Sequence, residues 1–198
     1  NRFRQASKCA RYCGSCSLGF MPRKWLFGSA RSAGTKLAFK GKEYVVEEAS
    51  LERMKGLDLL LGAADNDVAK KFLPDAAKLG VTVVDNSSAF RLDPEVPLVI
   101  PEVNPEDVKW SKGLIANPNC ATIIGLTAIA PLHRKAKVKR LIASTYQAVS
   151  GAGKGGIDEL EAEVKAPAGT PAPCKVFPYP IAYNLIPQIG GFNDEGYT

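Results

Sequence analysis

Between residues 57 and 84 the chain changes its hydrophobic period twice. Leu57 to Leu61 is a continuous apolar run. Asn66 to Leu79 is amphipathic at helical spacing, with Val68, Phe72 and Ala76 or Ala77 on one face and Gly80 at its end. Val81 to Val84 is apolar again. Strand, helix and strand at this spacing predict a parallel βαβ unit, because the intervening helix carries the chain back across the sheet. Such a sheet binds ligands at the carboxyl ends of its strands. Two polar groups fall there. One is Gly62 to Asp65. The other is Asp85-Asn86-Ser87-Ser88-Ala89-Phe90-Arg91, rich in donors for a phosphate or ribose. Ordinary turn chemistry would also account for the second.

A second strand-to-helix junction carries a thiol. Leu114-Ile115-Ala116 reads as a buried strand and Ile123 to Leu132 as a buried helix, apolar nearly all round. Between them lies Asn117-Pro118-Asn119-Cys120-Ala121-Thr122. Pro118 stops a strand, and Asn119 is a preferred N-cap. Cys120 is therefore expected in the first turn of the helix. There, unpaired N–H groups and the helix dipole favour a thiolate and can hold a developing oxyanion. A buried cysteine packed as a small hydrophobe is the bland alternative. His133 is the single histidine. It stands thirteen positions along the same helix, roughly 20 Å away at ~1.5 Å per residue, so it cannot serve Cys120 as base within one chain.

Upstream, Trp25-Leu26-Phe27 reads as a strand ending in Gly28, followed by the small-residue loop Ser29-Ala30-Arg31-Ser32-Ala33-Gly34. Such a loop can bring Arg31 and Ser32 to a phosphate, and read alone it is equally a solvated turn. Leu37 to Val46 reads as a hairpin around Gly41, and Val96 to Ile100 as a further strand. Val138 to Val149 reads as a long strand. Ser150-Gly151-Ala152-Gly153-Lys154-Gly155-Gly156 then precedes a helix over Ile157 to Val164. The glycine spacing matches a dinucleotide fingerprint. The acidic residue expected about 20 positions on is missing, since residues 165 to 192 hold no acid. Phe177 to Ile189, with three prolines and two tyrosines, reads as an extended, packed or interface segment.

Composition narrows the class. Apolar content of 45% and charged content of 23% suit an ordinary globular chain, and no apolar run approaches the ~18 residues of a membrane span. The net charge of +6 is concentrated ahead of Glu43, the first acidic residue. With the 134–140 basic run it lacks interleaved stacking aromatics, so no nucleic-acid partner is expected. Residues 1 to 19 show no period and resemble a transit peptide in composition. Their spacing Cys9-x3-Cys13-x2-Cys16 could ligate an iron–sulfur cluster, as in radical enzymes that use S-adenosylmethionine. That chemistry needs a repeating strand–helix barrel, which the following chain does not offer. A targeting sequence, a mistranslated start or a cloning remnant is preferred, and no metal is expected. Five cysteines, an odd number, suggest no disulfide framework.

From about residue 20 onward these motifs together resemble aspartate-semialdehyde dehydrogenase. They are Ser29 to Gly34, Asp85 to Arg91, Val96-Pro97-Leu98-Val99-Ile100-Pro101-Glu102-Val103-Asn104, Asn117 to Thr122, and Tyr146-Gln147-Ala148-Val149-Ser150-Gly151-Ala152-Gly153. The resemblance implies an α/β fold: a truncated Rossmann-like dinucleotide-binding domain over 20–119, then part of an α+β catalytic and dimerisation domain over 120–198. It implies NADPH-dependent reductive dephosphorylation of L-aspartyl 4-phosphate to L-aspartate 4-semialdehyde, on the route to lysine, threonine, methionine and isoleucine. Carried over by motif, Cys120 is the nucleophile and Gln147 positions the substrate. Arg91 and Asn119 hold the departing phosphate. Arg31 and Ser32 bind the 2′-phosphate of NADP, and Ser150 and Gly151 contact the cofactor.

A homodimer is implied, in the cytoplasm, or in the plastid stroma if residues 1–19 are the remnant of a transit peptide. Three departures stand against the pattern. No glycine-rich NADP loop precedes Ser29. Asp65 stands where the family has a small residue. The family's acid–lysine pair, carboxylate-binding arginine and base histidine would fall after Thr198. The polypeptide as given is therefore expected to be inactive alone. The rivals are an N-acyl-glutamyl-phosphate reductase and a non-catalytic truncated product.

Overall fold

The structure, a computed structural model, describes residues 25–39, 41–167, 169–171, 173–187 and 192–196. The readings placed on residues 1–19, including the three-cysteine spacing, lie outside the described residues. The chain divides into two compact units, one reaching Thr145 and the other starting at Tyr146.

The first unit opens with β1 (Leu26–Gly28), β2 (Lys36–Phe39) and β3 (Lys42–Glu48). β2 and β3 form the expected hairpin, in register Lys36↔Val45 to Phe39↔Lys42. Its turn holds Gly41 at φ 75°, a left-handed conformation that favours glycine. β1 pairs in parallel with β3 on the other side. A short helix α1 (Leu51–Met54) follows, capped by Ser50.

The βαβ unit comes next: β4 (Leu59–Gly62), α2 (Asn66–Lys78) and β5 (Thr82–Asp85), then β6 (Leu114–Ala116). These strands form an all-parallel sheet in the order β4-β5-β6. Leu73 and Ala76 of α2 are buried with Met54, Val81, Val83, Phe90, Leu114 and Ala116 in one core. Each fully buried Leu or Val contributes about 1.5–3 kcal/mol.

The buried face of α2 is one position away from the expected one. Ala69, Leu73 and Ala76 are inside, whereas Val68 is 43% exposed and Phe72 only half-buried. Two alanines let the helix lie close to the sheet, and the larger Val68 is pushed to the flank. Val96 to Ile100 is reduced to one parallel bridge, Leu98↔Ala116. Pro97 has no N–H for a ladder, and Asn104 Oδ1 takes the Ile100 N–H at 2.8 Å instead.

Helix α3 (Cys120–Ala136) is longer than its apolar run. It is not buried as expected: among the described residues only Ala130 is fully inside, and Ile124 is 73% exposed. An all-round apolar pattern records a capacity for burial, and realising it needs surrounding elements. Residues 138–149 differ likewise. No strand forms there, and all but Val138 and Val149 are exposed. Strand propensity alone does not make a strand; a ladder needs a neighbouring chain in register.

The second unit contains a 3-10 turn (Val149–Ala152) leading into α4 (Gly153–Lys165). A Cβ on Gly156 would lie 2.7 Å from the Val149 carbonyl oxygen and 3.0 Å from Phe177 Cζ, so this glycine permits close packing of turn, helix and tail. Two acids one helical turn apart then fasten the tail. Glu159 accepts the N–H groups of Lys175 (2.9 Å), Val176 (2.8 Å) and Phe177 (3.1 Å). Glu163 accepts those of Ile181 and Ala182, both at 2.8 Å. Burial raises the Glu159 carboxyl. The N–H groups of Phe177, Val176 and Lys175, with the charge of Lys175, outweigh that and hold it below its ordinary value.

Candidate active site

Parallel strands leave their last residues side by side, and polar side chains gather where β4, β5 and β6 end. Asn86 N–H bonds Gly62 O at 2.8 Å and Asn117 N–H bonds Asp85 O at 2.7 Å, so the ladder runs one residue past each strand. The loop 85–91 is then fastened by side chains. The fully buried Asp85 accepts from Ser87 N–H (3.0 Å) and Ser87 Oγ (2.6 Å). Ser88 is tied to Asn66 at the start of α2, its N–H reaching Asn66 Oδ1 at 3.1 Å. Asn117 Nδ2 donates to Asn86 Oδ1 at 2.7 Å. Gly62 leaves the space: a Cβ there would lie 2.8 Å from Leu73 Cδ1 and 3.0 Å from Asp85 Oδ1.

This frame presents Arg91. Its Nε donates to Asn117 O at 3.0 Å and its Nη2 to Asn86 O at 3.1 Å. The side chain is half-buried and makes no ion pair with any described residue.

After β6, Pro118 is buried and Asn119 turns extended (φ −62°, ψ 144°). Its Oδ1 caps α3 by accepting Ala121 N–H at 2.9 Å. Cys120 is the first residue of α3 and is exposed, as the junction predicted. The first-turn N–H groups of Cys120 and Thr122 have no acceptor inside the helix. His133 lies fourteen residues into this helix counting from Cys120, near the opposite end. Arg91, Asn119 and Cys120 are thus brought to the ends of neighbouring strands.

Arg31 and Ser32 stand after β1. Ser29 O accepts from Ser32 N–H (2.8 Å) and Ala33 N–H (3.1 Å), and Gly34 closes the turn at φ 81°. The two hydroxyls of Ser29 and Ser32 are 3.3 Å apart. Arg31 is exposed. Asp65 is the residue preceding α2 and makes no side-chain cap. Gln147, Ser150 and Gly151 belong to the second unit. Gln147 is exposed, and Ser150 and Gly151 lie in the 3-10 turn before α4. Among the described residues no group of three or more His, Cys, Asp or Glu could hold a metal ion, and no helix is long and apolar enough to cross a membrane. The pairing of Asn86 with Asn117 leaves no signal in the sequence. Each is the first residue after a strand, and only the register Asp85↔Ala116 makes them neighbours.

An α/β chain with an arginine held at its strand ends and a cysteine opening the adjoining helix has the layout of a semialdehyde dehydrogenase. Residues 21–111 match the family described as semialdehyde dehydrogenase, NAD binding domain, and residues 129–198 match semialdehyde dehydrogenase, dimerisation domain. The chain is similar to aspartate-semialdehyde dehydrogenase of Aquifex aeolicus, 51% identical over 178 residues, covering 87% of this chain and 52% of that one. It is 45% identical over 181 residues to the enzyme of that name from Bacillus subtilis, with the same coverage. A crystal structure of aspartate semialdehyde dehydrogenase II complexed with ASA, from Vibrio cholerae, superposes with a TM-score of 0.82 at 42% identity, covering 88% of this chain and 53% of that one. The chain belongs to the aspartate-semialdehyde dehydrogenase family. It spans about half the length of the curated relatives it matches.

Proposed function

We propose that the protein containing this chain catalyses the reductive dephosphorylation of L-aspartyl 4-phosphate to L-aspartate 4-semialdehyde, within aspartate-family amino-acid biosynthesis. The observation that carries this reading is the placement of Cys120 at an exposed helix N-terminus, three residues after the Asn117 carbonyl that holds Arg91, a guanidinium with no ion pair among the described residues. An acyl phosphate is already activated, so the chain needs only a nucleophile, an anion clamp and oriented groups around the carbonyl. Cys120 Sγ attacks the acyl carbon. The first-turn N–H groups of α3 stabilise the oxyanion. Arg91 and Asn119 hold the phosphate as the C–O bond breaks and a Cys120 thioester forms. Gln147 orients the substrate at the reacting carbon.

NADPH, when bound, supplies the hydride that reduces the thioester. The residues after β1 fit that cofactor. Arg31 is exposed and makes no ion pair among the described residues, and Ser32 carries a hydroxyl beside it, as a 2′-phosphate requires. Ser150 and Gly151 also contact the cofactor. In this reading residues 20–119 form the NADP-binding part and residues 120–198 the catalytic and dimerisation part, and the protein works as a homodimer in the cytoplasm or plastid stroma. The 198-residue polypeptide alone is inactive, because its one histidine sits at the far end of the helix that starts with Cys120.

The test is NADP- and phosphate-dependent oxidation of L-aspartate 4-semialdehyde by the natural protein. Cys120→Ser should lower kcat by at least about 10³-fold. Turnover retained by Cys120→Ser, or none in the natural protein, would sink the reading.

A further inference from the structure

We propose that the carboxamide pair Asn86–Asn117 positions Arg91 for phosphate, and so sets the affinity for the phosphoryl group. The proposal rests on the reading of Arg91 as the phosphate clamp. Asp85 and Ala116 are partners in the β5–β6 register, so Asn86 and Asn117 are the next residues on two neighbouring parallel strands. The only carbonyls that hold Arg91 among the described residues are those of Asn86 and Asn117. The side chains of the same two residues clasp each other at 2.7 Å. Spacing between the two carbonyls, and hence the direction of the guanidinium plane, is set by that clasp. Without it the two chains diverge past their last ladder bonds, towards Ser87 on one side and Pro118 on the other.

The chemistry of the holder matters as much as its geometry. A carboxylate would orient an arginine more strongly, but would neutralise the charge that an anion needs. Here the one acid of the loop 85–91, Asp85, is turned to Ser87, and among the described residues Arg91 is held by neutral carbonyls alone. Two N–H donors are spent on orientation. The Nη1 donors have no hydrogen-bond partner, and no acid pairs with Arg91, among the described residues. Asn86 and Asn117 are therefore positioning residues that act through Arg91.

The experiment uses inorganic phosphate as the probe and protection of Cys120 from iodoacetamide as the readout, resolved by peptide mass. Cys174, exposed in the other unit, is the internal control. Phosphate should slow alkylation of Cys120 and leave Cys174 unaffected. Asn86→Ala and Asn117→Ala should each raise the half-protecting concentration about five-fold, the loss expected for one hydrogen bond. The double variant should shift it no further, because either change opens the same clasp. In an Arg91→Ala background neither change should add to the loss. Both thiols are already exposed, so loosening of the fold is read separately by urea unfolding followed by tryptophan fluorescence, whose midpoint should stay unchanged in both variants.

In the natural protein the same variants should raise KM for phosphate and leave KM for NADP and kcat nearly unchanged. Absence of protection in the unaltered chain, or an unchanged constant in Arg91→Ala, would remove the phosphate reading itself. Weakened binding in Arg91→Ala with unaltered binding in both asparagine variants would overturn the positioning role alone. So would asparagine variants whose urea midpoint falls along with the loss of protection.

Discussion

Asp85 offers the sharpest test of how the candidate site is held. It is fully buried at the end of β5, and its carboxylate accepts from Ser87 N–H at 3.0 Å and Ser87 Oγ at 2.6 Å. Ser87 is itself buried, so Asp85→Ala strands a backbone N–H and a hydroxyl away from water. At about 1–3 kcal/mol for each unsatisfied group, less the relief of no longer burying a charge, the loss should be about 2–4 kcal/mol. Asp85→Asn keeps the volume and one acceptor oxygen. Its amide must donate to Ser87 Oγ, an oxygen that already accepts Ala89 N–H at 3.1 Å, and the hydroxyl hydrogen loses its acceptor. That variant should lose only about 1 kcal/mol. Both tryptophans, Trp25 and Trp110, lie in the first unit, so urea unfolding followed by tryptophan fluorescence reports on it. A loss in Asp85→Asn equal to that in Asp85→Ala would mean that the charge, and not the bond pattern, holds the loop. A loss below about 0.5 kcal/mol in Asp85→Ala would refute the argument altogether.

Two further outcomes follow from the helices. Asn119→Ala removes the cap on Ala121 N–H and should destabilise by about 1 kcal/mol while weakening phosphate protection of Cys120. Asn119→Ser should regain the stability without regaining the anion contact, as unfolding and protection measured side by side would reveal. Glu159 has a folded pKa below its ordinary 4.5. Its ionised form is thus favoured by folding, and the stability it contributes is present above the unfolded value and lost as pH falls through the folded one. Amide exchange at Lys175, Val176 and Phe177 should therefore stay protected on acidification past 4.5 and open only at more acid pH. Glu159→Gln should flatten that dependence. Opening that sets in above 4.5 would contradict the assignment.

The local elements were readable because their causes are local. Strand ends at Gly28 and Gly62, the turn at Gly41, the helix after Asp65 and the cap at Asn119 each depend on one residue's backbone preference or on hydrophobic period. The placement of Cys120 at a helix start was legible for the same reason, since Pro118 and Asn119 end one element and begin the next. Burial was not. Ala69 rather than Val68 faces the sheet because the close approach of a helix selects small side chains. The apolar α3 and the 138–149 stretch carry a capacity for burial and pairing that their own residues cannot satisfy. The clasp of Asn86 with Asn117 was also invisible, as its members are 31 residues apart. Only the parallel register of β5 and β6 brings them together, and register is a property of strands meeting in space.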